Sequence, residues 1–419
     1  MATNAETVMG GETLAPAVEQ NVQTADAKKR AADAPGRISF RMLSGEAVGP
    51  EIDHDIQAVD AKKQVADALG TTTDSVKFAV DERAVADSET LTAGHGRKLN
   101  RQGTTGAAMN VVSILVGEPA EIEAQFLTMM GIKSFQEIGN REKINVSGCK
   151  LTTLPMKLGL MATALQKLDL EHNQLKKLPD TVCQLPALQV LDIENNGLLR
   201  LPEHFCSLST LTSFNARRNE LEQLPSNFGK LKSLTSLNLQ CNMLSELPDS
   251  ICELRMLHEC RLGHNAIRAL PEKFGALRSL AMLEVESNQL QGLPDSFGNL
   301  SSMENLSLRN NMLKTLPDSF GGMAALHKLD LERNELEALP ESFGRLRSLK
   351  ALYLKDNCLR ELPSTFEQLE ALRKLGIQNN PMAFIPLGIK KLSGLLRCYV
   401  NQEVLLTLGR DVPAICKAD

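Results

Sequence analysis

The stretch Leu168-Asp-Leu-Glu-His-Asn173-Gln-Leu175-Lys-Lys-Leu178-Pro179 decides the fold, because its frame returns at a fixed interval along most of the chain. An asparagine recurs every 23 residues, at Asn173, Asn196, Asn219, Asn242, Asn265, Asn288, Asn311, Asn334, Asn357 and Asn380, and each frame ends in Leu-Pro or Ile-Pro. Leu168 and Leu170 point the same way from a short strand and leave Lys167, Asp169 and Glu171 on the opposite, solvent face. The asparagine ends the strand where the chain must bend inward. Its amide carries both donor and acceptor groups, so a stacked column of such amides can satisfy the backbone groups that the bend buries. Leu175 and Leu178 then fill the core, Pro179 fixes φ at the turn, and a segment such as Asp295-Ser-Phe-Gly-Asn-Leu300 returns along the convex side.

One such unit is too small to fold alone, so stacked neighbours must supply the missing burial. An irregular opening unit, with Cys149 in the asparagine column and Pro155 in the proline column, precedes the ten regular ones. The pattern L-x-L-x-x-N-x-L-x-x-L-P resembles that of leucine-rich repeats. That resemblance implies an α/β solenoid over residues 143–395, a horseshoe with a parallel sheet on its concave side.

Ahead of the repeats the pattern changes. Residues 1–36 are rich in Ala, Thr, Glu, Gln and Asn without apolar periodicity and read as a disordered tail. Residues 37–117 read as a small α+β domain. In it Ile38, Phe40 and Met42 alternate as a strand, a second extended piece covers residues 47–54, and Ala61, Val65, Ala68 and Leu69 share a helix face. Val76, Phe78 and Val80 alternate next, a loop carries Val85 and Leu91, and residues 109–116 make a closing strand. This order resembles the ubiquitin-like β-grasp fold, with Phe78-Ala-Val-Asp-Glu-Arg-Ala-Val85-Ala-Asp-Ser-Glu-Thr-Leu91 similar to the strand, turn and short helix of ubiquitin. Residues 118–142 should form a helical cap, with Ile122, Phe126, Leu127 and Met130 on one side. Residues 396–419 should close the other end with Val400, Val404, Leu405 and Leu408.

Composition narrows the function. A net charge of −5, two Tyr and no Trp argue against nucleic acid and sugar, whose binding needs exposed rings and, for nucleic acid, a basic stripe. No basic segment with an apolar run follows Met1, Ala2 replaces the glycine of an N-myristoylation signal, and no apolar run reaches membrane-spanning length. A cytoplasmic monomer without a membrane span is expected. The nine cysteines read as reduced thiols. Cys183, Cys206 and Cys252 share a column with Gly229, Gly275, Gly298 and Gly344, and Cys260 takes a core leucine position.

No phosphate loop, nucleophile elbow, His-Glu-x-x-His or Cys-x-x-Cys is present, so neither catalysis nor a cofactor is expected. Cys241 and His264 are neighbours in one column but make only half of a zinc ligand set, and no metal is expected. What remains is the concave face. There Asp169, Glu171, Asp192 and Glu194 form an acidic block followed by Arg217 and Arg218, while Glu284 and Glu286 sit between Arg261 and Arg309. Tyr353 reads as the only aromatic residue on this face and joins Arg309 and Arg333 as an expected hot spot. Such zoning suits a protein partner with a complementary charge map.

With Leu-Pro-Asp-Ser-Phe-Gly at Leu293 to Gly298 and again at Leu316 to Gly321, the repeats resemble the plant intracellular Ras-group leucine-rich repeat proteins and the related Ras-pathway scaffolds. The resemblance implies a non-enzymatic intracellular scaffold whose partner is a small GTPase or a phosphatase complex. The β-grasp resemblance implies an alternative. In it the chain is a substrate adaptor of the ubiquitin system, docking through residues 37–117 and choosing its client through the repeats.

Overall fold

The computed structural model describes the backbone of five strands between Arg37 and Val116, then residues 120–382, 389, 391–401 and 416–418, with side chains from residue 122 to residue 401 within those ranges. The expected tail over 1–36, the helix face of Ala61 to Leu69, the loop with Val85 and Leu91, and Val404, Leu405 and Leu408 lie outside the described residues. Two compact units divide the chain, Met1–Pro119 and Ala120–Asp419.

In the first unit β1 (Arg37–Met42), β2 (Ile52–Asp53), β3 (Val76–Val80), β4 (Arg83–Ala84) and β5 (Val111–Val116) form one sheet in the order β2-β1-β5-β3-β4. β1 runs parallel to β5, with Ser39 opposite Val111, and the other pairs are antiparallel. The alternating apolar residues place β1, β3 and β5 where the sequence expects strands. β4 was not expected: Val80 pairs with Arg83, so β3 turns back at once on itself.

The second unit opens with α1 (Ala120–Met129), whose Phe126 is fully buried and stacks on Phe135 with ring centroids 6.1 Å apart. Lys157 in α2 (Met156–Met161) reaches Glu123 of α1 at 2.6 Å, so the helix lies over the opening repeat. A parallel sheet of thirteen strands follows, from β6 (Lys143–Asn145) through β16 (Lys374–Gly376) to β17 (Arg397–Val400) and β18 (Cys416–Ala418). Each strand pairs with the equivalent residues of the next repeat, as Leu283 with Leu306 and Leu306 with Leu329, so one buried column, mostly leucine but with Ile144, Phe214, Cys260 and Cys398 in it, runs the length of the core. The sheet therefore continues past residue 395, where the sequence expects only a cap. Val400 is buried as that cap requires, within a strand that also pairs with β18.

The asparagines do what their chemistry demands. Asn288 Oδ1 accepts from Ile267 N–H at 3.0 Å, while its Nδ2 donates to the carbonyls of Leu262 at 3.0 Å, Val285 at 3.1 Å and Glu286 at 3.2 Å. Each amide thus ties its own bend to the repeat before it. In the opening repeat Cys149 keeps a fragment of this bonding, its thiol donating to Ser147 carbonyl at 3.4 Å. The bend also forces the residue ahead of each asparagine into left-handed backbone, with φ from 53° to 58° between His172 and Asn379. That region costs a non-glycine residue roughly 1 kcal/mol. The gain is a further link, since His172 N–H donates to Glu194 carbonyl at 2.8 Å and its equivalents through Asp356 do likewise, while Asn379 N–H donates to the side-chain oxygen of Asn401.

On the convex side the phenylalanines form a spine. Phe274, Phe297, Phe320, Phe343 and Phe366 stack with centroids 6.1 to 6.4 Å apart, and a shorter stack joins Phe205 to Phe228. Ile251 fills the gap between the two stacks. Glycine beside this spine is a matter of space, because a Cβ on Gly298 would stand 1.8 Å from Ser319 carbonyl oxygen. The closeness lets serines bridge repeats: Ser296 hydroxyl donates to Glu272 carbonyl at 2.5 Å and accepts from Gly275 N–H at 3.1 Å. Among the described residues no helix is long and apolar enough to cross a membrane.

Candidate functional site

Each strand presents outward the residues on either side of its buried leucine, and the chain just beyond adds further side chains before the asparagine. The structure gives the twelve sequence-selected residues of this face unequal roles. Asp169 is only 9% exposed: its Oδ2 accepts from Asn145 at 3.0 Å and its Oδ1 from Glu171 N–H at 3.3 Å. Asp192 repeats the arrangement, accepting from Glu194 N–H at 2.9 Å and from Asn215 at 3.1 Å. Asn215, Asn238 and Asp330, in the same column, also accept from the N–H two residues on. These short side chains hold the strand end, as Asp and Asn do in local turns. An Asp or Asn recurring in this column was the signal for that role.

The longer charged residues pair across strands. Glu194 meets Arg217 at 3.2 Å, Arg261 meets Glu284 at 3.4 Å as well as Glu259 of its own strand at 3.1 Å, Arg309 meets Glu332 at 2.7 Å, and Arg333 approaches Asp356 at 3.7 Å. Gln240 donates to Glu284 at 3.2 Å and Glu286 at 3.1 Å, spanning the intervening repeat. It can do so because Gly263 lies between: a Cβ there would stand 2.3 Å from Glu286 Oε1. Arg218 is exposed and Glu171 half-buried. Such partly exposed pairs are each worth about 0–1 kcal/mol, so a partner can exchange them at little cost.

Burial shapes the centre of the face. It raises the carboxyl pKa of Asp330 above its ordinary range, and burial followed by the neighbouring Asp330 does the same for Glu332. Tyr353, half-buried, has its hydroxyl pKa raised first by burial and then by Asp330 and Glu332. Beside them Asn305 and Ser307, short among longer neighbours, leave a hollow of about 280 Å³ lined also by Met282, Glu284, Glu286, Lys328 and Asp330. Tyr353 is not the only aromatic residue here. Tyr399 lies on the same face, opposite Gly376 in the register, because β17 extends the sheet.

The thiols lie mostly away from this face. Burial pushes Cys183 and Cys260 up to about 12 and Cys206 and Cys252 up to about 11, whereas Cys358 is exposed. Iodoacetamide at mildly alkaline pH should therefore modify Cys358 and spare those four in the native protein. Tryptic mass spectrometry reads the outcome, and rapid labelling of Cys260 would contradict it. Cys241 and His264 are adjacent in the left-handed column, and among the described residues no three His, Cys, Asp or Glu side chains gather as a metal site.

The model of a leucine-rich repeat region matches residues 236–329, and that of the leucine rich repeat matches residues 140–198, 163–221 and 338–382. No curated protein matches the chain by sequence. Among solved structures, a TDR receptor is 29% identical over 63% of this chain and 47% of its own, with a TM-score of 0.57. The chain thus spans about half the length of that receptor. An internalin, InlF of Listeria monocytogenes, is 19% identical over 71% of this chain and 94% of its own, with a TM-score of 0.54. The leucine-rich repeat domain of APL1B is 20% identical over 72% and 98%, with a TM-score of 0.52. At these identities the last two show a shared fold alone. Periodic amides, an in-register parallel sheet and the repeat models agree, and the chain is a leucine-rich repeat protein.

Proposed function

We propose that the protein is a non-enzymatic scaffold or adaptor of intracellular signalling, active in the cytoplasm as a monomer, which holds a protein partner on the concave face of its repeats. The carrying observation is the face itself, an unbroken parallel sheet whose outward residues change sign from zone to zone. Glu171, Glu194, Arg217, Arg218, Arg261, Glu284, Glu286, Arg309, Arg333 and Tyr353 form the contact surface in this reading. Asp169 and Asp192 act through the strand ends they hold. The weak cross-strand pairs favour it, because they preorganise charge without consuming much binding energy. By resemblance to the Ras-group repeats, the partner is a small GTPase or a phosphatase complex.

The test uses the immobilised whole chain in cell extract, with captured proteins quantified by mass spectrometry. Glu284→Ala, Glu286→Ala and Arg309→Ala combined should deplete the main partner at least about tenfold, as expected for losing several coupled interface charges. An unchanged partner set would sink the reading.

A second reading is favoured by the strand order of the first unit. The order β2-β1-β5-β3-β4, with β1 parallel to β5, supports a β-grasp assignment of residues 37–117 and hence an adaptor of the ubiquitin system. In that case the whole chain should retain proteasome subunits that a chain lacking residues 1–119 does not. Equal retention by both would remove this alternative.

A further inference from the structure

The hollow at the centre of the concave face lies over β13 (Asn305–Ser307), with β12 (Met282–Glu284) and β14 (Lys328–Asp330) as its walls. Asn305 and Ser307 on its floor are half-buried, so it opens to solvent. The register sets Ser307 opposite Glu284 on one side and Asp330 on the other. These two carboxyl residues thus share a column two strands apart, roughly 9.6 Å along the sheet, with only a serine between them.

Each of the two carboxylates is half engaged. Glu284 Oε2 meets Arg261 Nε at 3.4 Å and accepts from the Gln240 amide at 3.2 Å, while Asp330 Oδ1 accepts from Glu332 N–H at 3.0 Å. Their other oxygens, Glu284 Oε1 and Asp330 Oδ2, carry no such bond and are not shut away from solvent. The Glu284 side chain as a whole is 35% exposed.

The charge around the hollow is not balanced from within. Glu286 Oε1 accepts from Gln240 at 3.1 Å, and its Oε2 is buried without a donor. Neither Glu286 nor Asp330 makes an ion pair among the described residues, whereas Glu194, Glu259, Glu284 and Glu332 do. Burial raises the Asp330 carboxyl pKa, Arg309 and Lys328 offset only part of the rise, and Glu286 adds to it. Lys328 is the one cation among the lining residues, and it is exposed on a flexible stem.

We infer that the hollow seats one arginine side chain of a protein partner, its guanidinium bridging Glu284 Oε1 and Asp330 Oδ2 above Ser307. The inference rests on the scaffold reading and deepens it by naming what the partner presents. A planar guanidinium carries N–H groups on opposite edges and can serve two carboxylates on facing walls, whereas the ammonium of lysine is a single point of charge. The volume, about 280 Å³, falls just short of the roughly 300–1,000 Å³ of pockets that take whole small molecules, and suits one side chain. A metal ion is disfavoured, since among the described residues no three His, Cys, Asp or Glu side chains gather to hold one. A polyamine or a run of basic residues is disfavoured too, because Arg309, two residues beyond Ser307, and Arg261, one strand beyond Glu284, flank the hollow. The partner's arginine therefore stands alone, between neutral or acidic neighbours.

The experiment exposes a random heptapeptide library to the immobilised whole chain and sequences the retained peptides. Arg should be enriched about fivefold or more at one position, with no basic residue beside it, as a bidentate site requires. The best peptide, labelled with fluorescein, is then titrated by anisotropy. Replacing its Arg with Lys should weaken binding about tenfold, since the two are not interchangeable at a bidentate site. Glu284→Gln with Asp330→Asn should abolish the enrichment and weaken the peptide about tenfold or more. This variant should fold, because Asn215 and Asn238 already hold strand ends in the Asp330 column. Ser307→Tyr fills the hollow without changing charge and should do the same; Tyr353 occupies that column two strands on. Lys328→Ser, which places in its column the residue found at Ser213 and Ser236, should tighten binding. Asp295→Asn with Asp318→Asn, exposed on the convex side, should leave it unchanged. Circular dichroism confirms that each variant is folded, and the substitution within the peptide carries the test if one melts. Absence of Arg enrichment, or enrichment that survives Glu284→Gln with Asp330→Asn, overturns the inference. So does displacement of the peptide by spermine or calcium chloride beyond that by sodium chloride of equal ionic strength. If the arginine result fails while the Glu284, Glu286 and Arg309 substitutions still deplete a captured partner, only the arginine seat is lost; if those substitutions also change nothing, the scaffold reading falls with it.

Discussion

Phe320→Ala is expected to lower the unfolding free energy of the repeat unit by about 3–5 kcal/mol, the range for truncating a buried aromatic side chain. Phe320 is fully buried, with Phe297 at 6.2 Å and Phe343 at 6.1 Å as nearly parallel neighbours. The void cannot close cheaply. The backbone on the convex side is pinned between repeats by serine bridges and close glycine contacts, such as Gly298 against Ser319, so the flanking turns cannot move together. Phe320→Ile should lose much less, because Ile251 already occupies an equivalent place in the column. Urea unfolding followed by circular dichroism measures both. A loss below about 1 kcal/mol for the alanine variant, well under the range for buried aromatics, would show that the spine is packed more loosely than its geometry states.

Much of this architecture is legible in the sequence because each column has one task. The leucine positions and the asparagines return at a constant interval, and the structure gives Asn173 through Asn380 the bonding that a buried amide requires. Other features are in the sequence but carry a weaker signal. Phe274 to Phe366 recur at the same interval, yet a phenylalanine in a convex segment announces burial, not stacking on its own kind. β17 lies beyond the last asparagine, with Cys398 in the leucine position, so Tyr399 was missed on the concave face.

The binding face is read less well for physical reasons. Alternation along a strand says which residues point outward, but not which are already engaged by the backbone. Asp169 and Asp192 look like surface charge until their oxygens are found on the N–H groups of Glu171 and Glu194. Likewise Glu194, Arg217, Arg309 and Glu332 look like separate zones, and only the lateral register shows that they pair. The cations of the last repeats are the converse case. Lys350, Arg373 and Arg397 are one repeat apart, so no local window holds them, while the sheet sets them side by side. A solenoid turns sequence distance into lateral proximity, and charge must be counted down columns rather than along the chain.

That columnar logic gives the sharpest test of the amide ladder. Asn288→Ala should cost about 3–5 kcal/mol, since it orphans Ile267 N–H and strips a shared donor from the carbonyls of Leu262, Val285 and Glu286, at roughly 1–3 kcal/mol for each buried group left unpaired. Two further variants separate hydrogen bonding from simple loss of volume. Asn288→Cys should retain part of the stability, because Cys149 shows that a thiol in this column can donate to a nearby carbonyl. Asn288→Asp keeps the acceptor for Ile267 but turns a carboxylate towards three carbonyl oxygens, so its folded pKa should be raised. The folded variant then binds its proton at a pH where the unfolded chain has released it. Its stability should fall as pH rises through that window and recover on acidification, whereas the alanine deficit should not respond in this way. Because coupling between repeats runs through these amides, a deep lesion at Asn288 should also split urea unfolding into two transitions, one for the repeats on each side. A single transition with an alanine deficit under about 1 kcal/mol, and no acid recovery of the aspartate variant, would mean that the stacked amides follow the bend without holding it.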